Sequence, residues 1–234
     1  MRLLAEQFAD PAVGCASGEL MLGDPDRGES SRGMGLYWRV EKKIREMESA
    51  SGSVVQATGA IYAVLRELVV PVPAGTILDD VYIPLHVARR GFRVTFLPSA
   101  RAWDVADQGS DHEFERKVRT LTGNYQLVQL APWILGSSNP LRFEFISHKL
   151  LRLLAPFALA ALFIASLVLR APGYRVALLL QLIFYALSAV SMAKLAKGPL
   201  ARVADAARTF VVLHTAAFVA FVKFVTGRGV AWVR

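Results

Sequence analysis

Two stretches near the C-terminus decide most of what this chain can fold into. Leu153 to Leu169 is 17 residues without a charge, bounded by Arg152 and Arg170, and Val176 to Ala193 is 18, bounded by Arg175 and Lys194. A hydrocarbon core about 30 Å thick asks for roughly 20 helical residues, with a floor near 17. Both runs meet it once the flanking Arg and Lys stems snorkel toward the headgroups. Ala171-Pro172-Gly173 between them leaves room only for a tight hairpin. Pro156 falls in the first turns of the first run, where a missing N–H costs least. A third run, Thr209 to Val222, has 14 residues before Lys223 and reaches Val225 if that lysine snorkels. We read it as a third span rather than an interfacial helix. The expected spans are about 151–170, 174–194 and 207–226. His214 has no second ligand at i±3 or i±4 and reads as a packing residue.

Charge supports the same division. Residues 150–234 hold ten Lys/Arg and one acid, Asp205, whereas residues 1–149 hold 17 Lys/Arg and 18 acids. The cations sit between apolar runs instead of clustering on a polar face, which argues against nucleic acid as a partner and for a lipid bilayer. Lys194, Lys197, Arg202 and Arg208 crowd the second connection. The positive-inside bias puts that loop, and with it residues 1–150, in the cytosol. The expectation is a multi-pass protein of the cell (inner) membrane. Met1 to Glu6 reaches an acid before any apolar core forms, so no signal peptide is expected there. Fifty-four per cent apolar residues exclude general disorder, and the single Cys15 excludes an intrachain disulfide framework or a Cys-based zinc site.

Residues 1–135 read as mixed α/β. Strands are predicted over 13–22, over 54–64 with a mid-run Gly-Ala, and over 92–97, stopping at Pro98. Helices are predicted over 37–50, over 81–90 ending at Gly91, and over 112–130. Asn139 to Lys149 reads as an amphipathic interface helix with Leu141, Phe145 and Ile146 toward lipid.

Three clusters are candidates for chemistry. Asp79-Asp80 stands at a helix start, where carboxylates gain from the positive helix end. The plain reading is a capped helix start, and the functional one is a general base taking a proton from an acceptor hydroxyl. Arg116-Lys117-Val118-Arg119 places residues 116 and 119 on one helix face, where guanidinium groups could clamp a diphosphate. A solvated basic face beside Glu113 and Glu115 is the plain alternative. Asp24-Pro25-Asp26 has the form of a metal-binding Asp-x-Asp after a strand but reads as a Pro-containing turn. His86, His112 and His148 are isolated, so no metal site is assigned to this chain.

In order, these pieces resemble the C-terminal two-thirds of a membrane-bound family-2 glycosyltransferase, the group of cellulose-, chitin- and poly-N-acetylglucosamine-synthase-like enzymes. Phe8-Ala9-Asp10-Pro11-Ala12-Val13-Gly14 with Ser17-Gly18 resembles the stretch after the family's metal-binding aspartates. Ala57-Thr58-Gly59-Ala60-Ile61-Tyr62 resembles the strand lining the acceptor site, and Leu78-Asp79-Asp80 the motif whose second carboxylate is the catalytic base. Arg116-Lys117-Val118-Arg119-Thr120 stands where processive members have Gln-x-x-Arg-Trp, and apolar spans follow. Thr120 replaces the Trp that stacks under an acceptor sugar, which argues against long-chain processivity.

The resemblance implies an α/β fold, a partial glycosyltransferase A-type domain with a mixed sheet over 1–138. An interface helix over 139–150 and spans over 151–234 would follow. It implies an inverting transferase of polysaccharide biosynthesis, moving a sugar from a nucleotide-sugar donor (a UDP-sugar) to a glycan or lipid-linked acceptor. Asp80 with Asp79 would be catalytic, and Arg119, Arg116 and Lys117 would contact the diphosphate. Thr58, Gly59 and Ala60 would line the acceptor site. A divalent metal, Mg²⁺ or Mn²⁺, is expected for the complete enzyme, its Asp-x-Asp lying in the family's preceding half. That half is expected to be missing, through a truncated gene model or a partner chain, and tight nucleotide-sugar binding by this chain alone is not expected. The alternatives are a non-catalytic membrane subunit scaffolding a polysaccharide synthesis or export complex and, last, a small transporter component.

Overall fold

The computed structural model describes residues 1–22, 36–104, 110–169 and 171–227. Asp24-Pro25-Asp26 and the side chain of His112 lie outside the described residues. The chain forms two compact units, one of residues 1–109 and 123–149 and one of 110–122 and 150–234.

The first unit is built on a three-stranded mixed sheet in the order β2-β1-β3. Strand β1 (Val13–Leu22) pairs antiparallel with β2 (Tyr62–Val64) and parallel with β3 (Arg93–Asp104). Its small residues suit a strand covered on both faces. Cys15, Ala16 and Ser17 are fully buried, and a Cβ on Gly18 would sit 2.3 Å from the carbonyl oxygen of Ala100. Helices α1 (Arg2–Glu6), α2 (Leu36–Ser51) and α3 (Asp79–Arg89) pack on this sheet. Helix α3 stops where the sequence says it should. Gly91 takes φ +86°, its N–H bonds Ala88 O at 2.9 Å, and Phe92 N–H bonds Val87 O at 3.3 Å. This paired closure caps the last carbonyls.

Two predicted strands come out differently. β3 runs on past Pro98 to Asp104 because the proline lies in an irregularity: Ser17 faces Phe96, while Glu19 faces Arg101. A residue without an N–H costs no ladder bond in a bulge. Of the run 54–64, only Tyr62–Val64 is strand. Val54, Val55 and Ala57 are buried, so their apolar character reports burial, not pairing. Their loop spends its donors singly: Val54 N on Val94 O, Ala57 N on Asp80 O and Thr58 N on Ser17 Oγ.

Beyond α4 (Ser110–Leu130) comes a short helix, α5 (Arg142–Phe145), then a wide π turn (Ile146–Leu150) leading into α6 (Leu151–Val168). The expectation that Leu141 and Phe145 face lipid fails. Both are buried, Ile146 is half-buried, and Phe143 is the exposed aromatic. Asn139 ties the segment down, donating to Ile134 O at 2.8 Å and accepting from Leu141 N at 3.0 Å.

The second unit contains the first part of α4 with α6, α7 (Pro172–Met192) and α8 (Pro199–Val225). Three helices, Arg142–Val168, α7 and α8, are long and apolar enough to cross a membrane. The third begins well before Thr209, taking Arg202, Asp205 and Arg208 into its first turns. Within the unit the usual order of a water-soluble bundle is inverted. Gln181, Ser188, Ser191, Ser166 and Ala204, Ala207, Ala216, Ala217 and Ala220 are buried, while Leu154, Ile164, Leu167, Leu179, Leu180 and Ile183 are exposed. Close-packed small and polar residues inside with large aliphatic ones outside suit lipid as solvent. Asp205 Oδ1 accepts from Ser191 Oγ at 2.6 Å, so the acid that interrupts the third run is partnered. His214 bonds Phe210 O through Nδ1 at 2.7 Å and packs on its ring.

Candidate functional site

Asp79 and Asp80 are the first two residues of α3, with Leu78 as its cap. Their position is set from two sides. Gly123 of α4 lies against Leu78 so closely that a Cβ there would meet Leu78 Cγ at 2.6 Å. The Gln126 amide grips the loop before the helix, accepting from Ile77 N and donating to Gly75 O, both at 2.9 Å. Inside α3, Pro84 occupies the position whose N–H would bond the Asp80 carbonyl. That carbonyl is therefore available and accepts the Ala57 N–H at 2.9 Å. A helix-interior proline thus draws the loop carrying Gln56 to Gly59 up to the aspartate.

The Asp80 side chain is half-buried, and Asp79 is exposed. Gln56 Nε2 donates to Asp80 Oδ2 at 2.9 Å, and Lys149 Nζ donates to Gln56 Oε1 at 2.6 Å. Burial pushes the Asp80 carboxyl above the ordinary carboxylate range. The Gln56 bond opposes this, Asp79 adds to it, and the charges of Lys149 and Arg45 oppose it. A carboxylate tuned upward while kept ionisable suits proton abstraction. Burial, with Asp79, Cys15 and Asp80 nearby, likewise raises the Tyr62 hydroxyl.

Gly59 borders the carboxylate. A Cβ added there would stand 3.4 Å from Asp80 Oδ2, the nearest atom it meets. Thr58 is buried and fixed: its N–H donates to Ser17 Oγ at 2.7 Å, its hydroxyl donates to Gly18 O at 2.6 Å, and it accepts from Arg45 Nη1 at 3.1 Å. With its polar groups spent on the scaffold, Thr58 positions the loop. Ala60 is exposed beside it. The first unit therefore brings together Asp79, Asp80, Thr58, Gly59 and Ala60.

Arg116, Lys117 and Arg119 belong to the second unit, on the first part of α4. Lys117 is committed to Glu113, whose carboxyl it holds below the ordinary value, chiefly by hydrogen bonding. Arg116 is exposed, Arg119 half-buried.

Sequence reading missed Gln56, Lys149 and Glu19; Gln126 stood beside the basic cluster in the sequence, but its grip on the loop before α3 was not legible there. Glu19 is buried on β1 and paired with Lys42 at 2.7 Å and Arg101 at 3.7 Å. His86 packs between Tyr82 and Trp133, with Arg89 over the tryptophan ring. Burial lowers its pKa, helped by Arg89 and Arg90. His148 is partnered by Glu48. Among the described residues no three His, Cys, Asp or Glu side chains group to hold a metal. The pair Asp79-Asp80 alone does not fit the Mg²⁺ or Mn²⁺ that the resemblance implies.

Among solved structures, the chain is similar to the mannosyltransferase PcManGT from Pyrobaculum calidifontis, in complex with GDP-Man and Mn²⁺. The TM-score is 0.61 at 23% identity, over 96% of this chain and 57% of that one. The fold is glycosyltransferase-like. The chain spans a little over half the length of that enzyme. No family model matches the sequence, and no curated protein matches it.

Proposed function

We propose that this chain carries the acceptor half of a membrane-bound glycosyltransferase with family-2 character. It would move a sugar from a nucleotide-sugar donor to a hydroxyl of a glycan or lipid-linked acceptor at the cytosolic face of the inner membrane. The observation that carries the reading is a half-buried, hydrogen-bonded carboxyl, tuned upward, at a helix start beside an open glycine, in a glycosyltransferase-like fold.

The chemistry follows from Asp80. Its carboxylate takes the proton of the acceptor hydroxyl. The acceptor oxygen forms a bond to the anomeric carbon from the side opposite the nucleotide. The bond from that carbon to the diphosphate oxygen breaks, its electron pair leaving with the nucleoside diphosphate, and the carbon inverts. As the resemblance implies, Arg119 with Arg116 would supply positive charge for the leaving diphosphate. Asp79, exposed next to the base, adds negative charge that keeps Asp80 basic. Both a guanosine and a uridine diphosphate sugar are candidate donors, the first because the similar mannosyltransferase holds GDP-Man.

The test is sugar transfer in membranes of a host deleted for the gene and carrying the full chain. Radiolabelled GDP-mannose and UDP-sugars are supplied in turn, and label is counted in lipid and glycan fractions. Asp80→Asn should cut transfer by about 10²–10⁴-fold, the usual contribution of a general base, with protein levels unchanged. Transfer and host glycan unchanged by Asp80→Asn would favour a non-catalytic scaffold of a polysaccharide synthesis complex instead.

A further inference from the structure

We infer that Lys149 is a positioning residue for the Asp80 carboxyl, acting through the side chain of Gln56 and held by the π turn that precedes the first apolar helix. The inference concerns the same site and takes its catalytic meaning from the reading above.

Hydrogen-bond polarity orients the relay. An ammonium group carries three donors and no acceptor. Lys149 Nζ, 2.6 Å from the Gln56 amide, can therefore meet only its oxygen. That fixes the other end of the amide: Nε2 faces Asp80 Oδ2 at 2.9 Å and must donate. A donor aimed at a carboxyl oxygen favours the ionised form. One oxygen of Asp80 is thus engaged by the relay, and Oδ1 is the atom left to receive a proton. Without the lysine charge, the Gln56 amide is free to turn over and present its oxygen to Asp80. An acceptor there favours the protonated acid, so the carboxyl holds its proton to higher pH.

The lysine is an expensive residue to bury, and only 9% of it is exposed. It lies in the π turn Ile146–Leu150, a rare geometry concentrated at functional positions. Its neighbour His148 is pinned to Glu48 of α2. Among the described residues, the charged and titratable groups that act on Asp80 or feel its charge are Asp79 on its own helix, Arg45 from α2, Tyr62 from β2 and Lys149. Arg45 is engaged with Thr58 Oγ1 and Glu41, so it does not replace the lysine at Gln56.

The experiment reads Asp80 directly. The full chain is placed in lipid nanodiscs with ¹³C at the aspartate carboxyls, and the Asp80 signal is assigned by its loss in Asp80→Asn. Carboxyl titrations are then compared for wild type, Lys149→Met, Lys149→Arg and Gln56→Met. Lys149→Met and Gln56→Met should each move the Asp80 midpoint to higher pH, and Lys149→Arg should return it toward wild type. The double variant Lys149→Met/Gln56→Met should move it by less than the sum of the two single shifts, because the lysine acts through the glutamine as well as by its charge. Should Lys149→Met fail to fold, Lys149→Gln takes its place, with the same shift expected. An unmoved midpoint in the folded charge-removing variant or in Gln56→Met, or a fully additive double variant, overturns the inference. If midpoints move as stated and wild type transfers no sugar, the relay stands and only the transferase reading falls. If wild type transfers, Lys149→Met should cost about tenfold in rate at a pH on the acid limb of the profile, with the limb displaced upward.

Discussion

Replacing Gly59 by alanine should push stability and transfer in opposite directions. The new methyl would meet Asp80 Oδ2 at 3.4 Å, Asp80 Cβ at 3.6 Å and Asp80 Cγ at 3.7 Å, all ordinary van der Waals distances. Gly59 does not use the left-handed region that would penalise a side chain. A glycine replaced by alanine without strain stabilises by about 0.4–1 kcal/mol, because the unfolded chain has fewer states to lose. The same methyl stands on the open side of the base, where an acceptor hydroxyl must approach. Misplacing an acceptor by an ångström costs on the order of 10²-fold, equivalent to about 2.7 kcal/mol at the barrier. The loss should fall on acceptor KM and kcat together. Thermal unfolding in nanodiscs, and acceptor-dependent transfer in membranes of the deleted host carrying the variant, give the two readouts. A variant that is as stable as wild type or more so and transfers normally would remove the acceptor from this face. A destabilised variant would refute the stated room around Gly59.

Three further outcomes are expected. Because Asp80 is raised by burial, the native state holds its proton to higher pH than the unfolded chain. Its stabilising contribution is fully present below the unfolded value of about 3.9 and is lost as pH rises through the native one. Transfer should therefore fall on acidification at a pH above the ordinary carboxylate range, while Asp80→Asn should melt no lower than wild type at neutral pH and no longer show that pH dependence. Gly18→Ala should destabilise by about 3 kcal/mol, the upper part of the usual overpacking range, because its Cβ would press on a strand carbonyl at 2.3 Å, and chemical denaturation would show it. Cys15, buried and pushed up to about 12, should resist thiol reagents at pH 8 in the folded chain and react on unfolding; rapid labelling of the native protein would contradict its place in the sheet.

What could be read from the sequence was whatever local pattern determines. Charge-free runs of 17 and 18 residues announce helices in lipid, and a glycine after α3 announces its end. The third run looked short because Asp205 and its neighbouring arginines seemed to interrupt it. A helix tolerates the acid when a serine on the adjacent helix supplies a hydroxyl. The run 54–61 misled because burial selects the same side chains as strand pairing does. Asp79 and Asp80 could be singled out, but their support could not. Gln56 and Lys149 are 93 residues apart, and no period or motif links them. Lysine at the end of an amphipathic stretch looks like a headgroup contact until a fold buries it. Pro84 carried a usable sign, since a proline inside a helix frees the carbonyl four residues earlier, here that of Asp80.

The inverted packing of α6, α7 and α8 has a practical corollary. Water drives together the surfaces it solvates worst, and in these helices those are the leucine- and isoleucine-bearing faces now turned outward. Stripping away amphiphile gives the helices no smaller native arrangement to fall back on. It rewards contact between outward faces of different molecules, and precipitation rather than reversible melting is the natural end of any purification that lets the detergent run out.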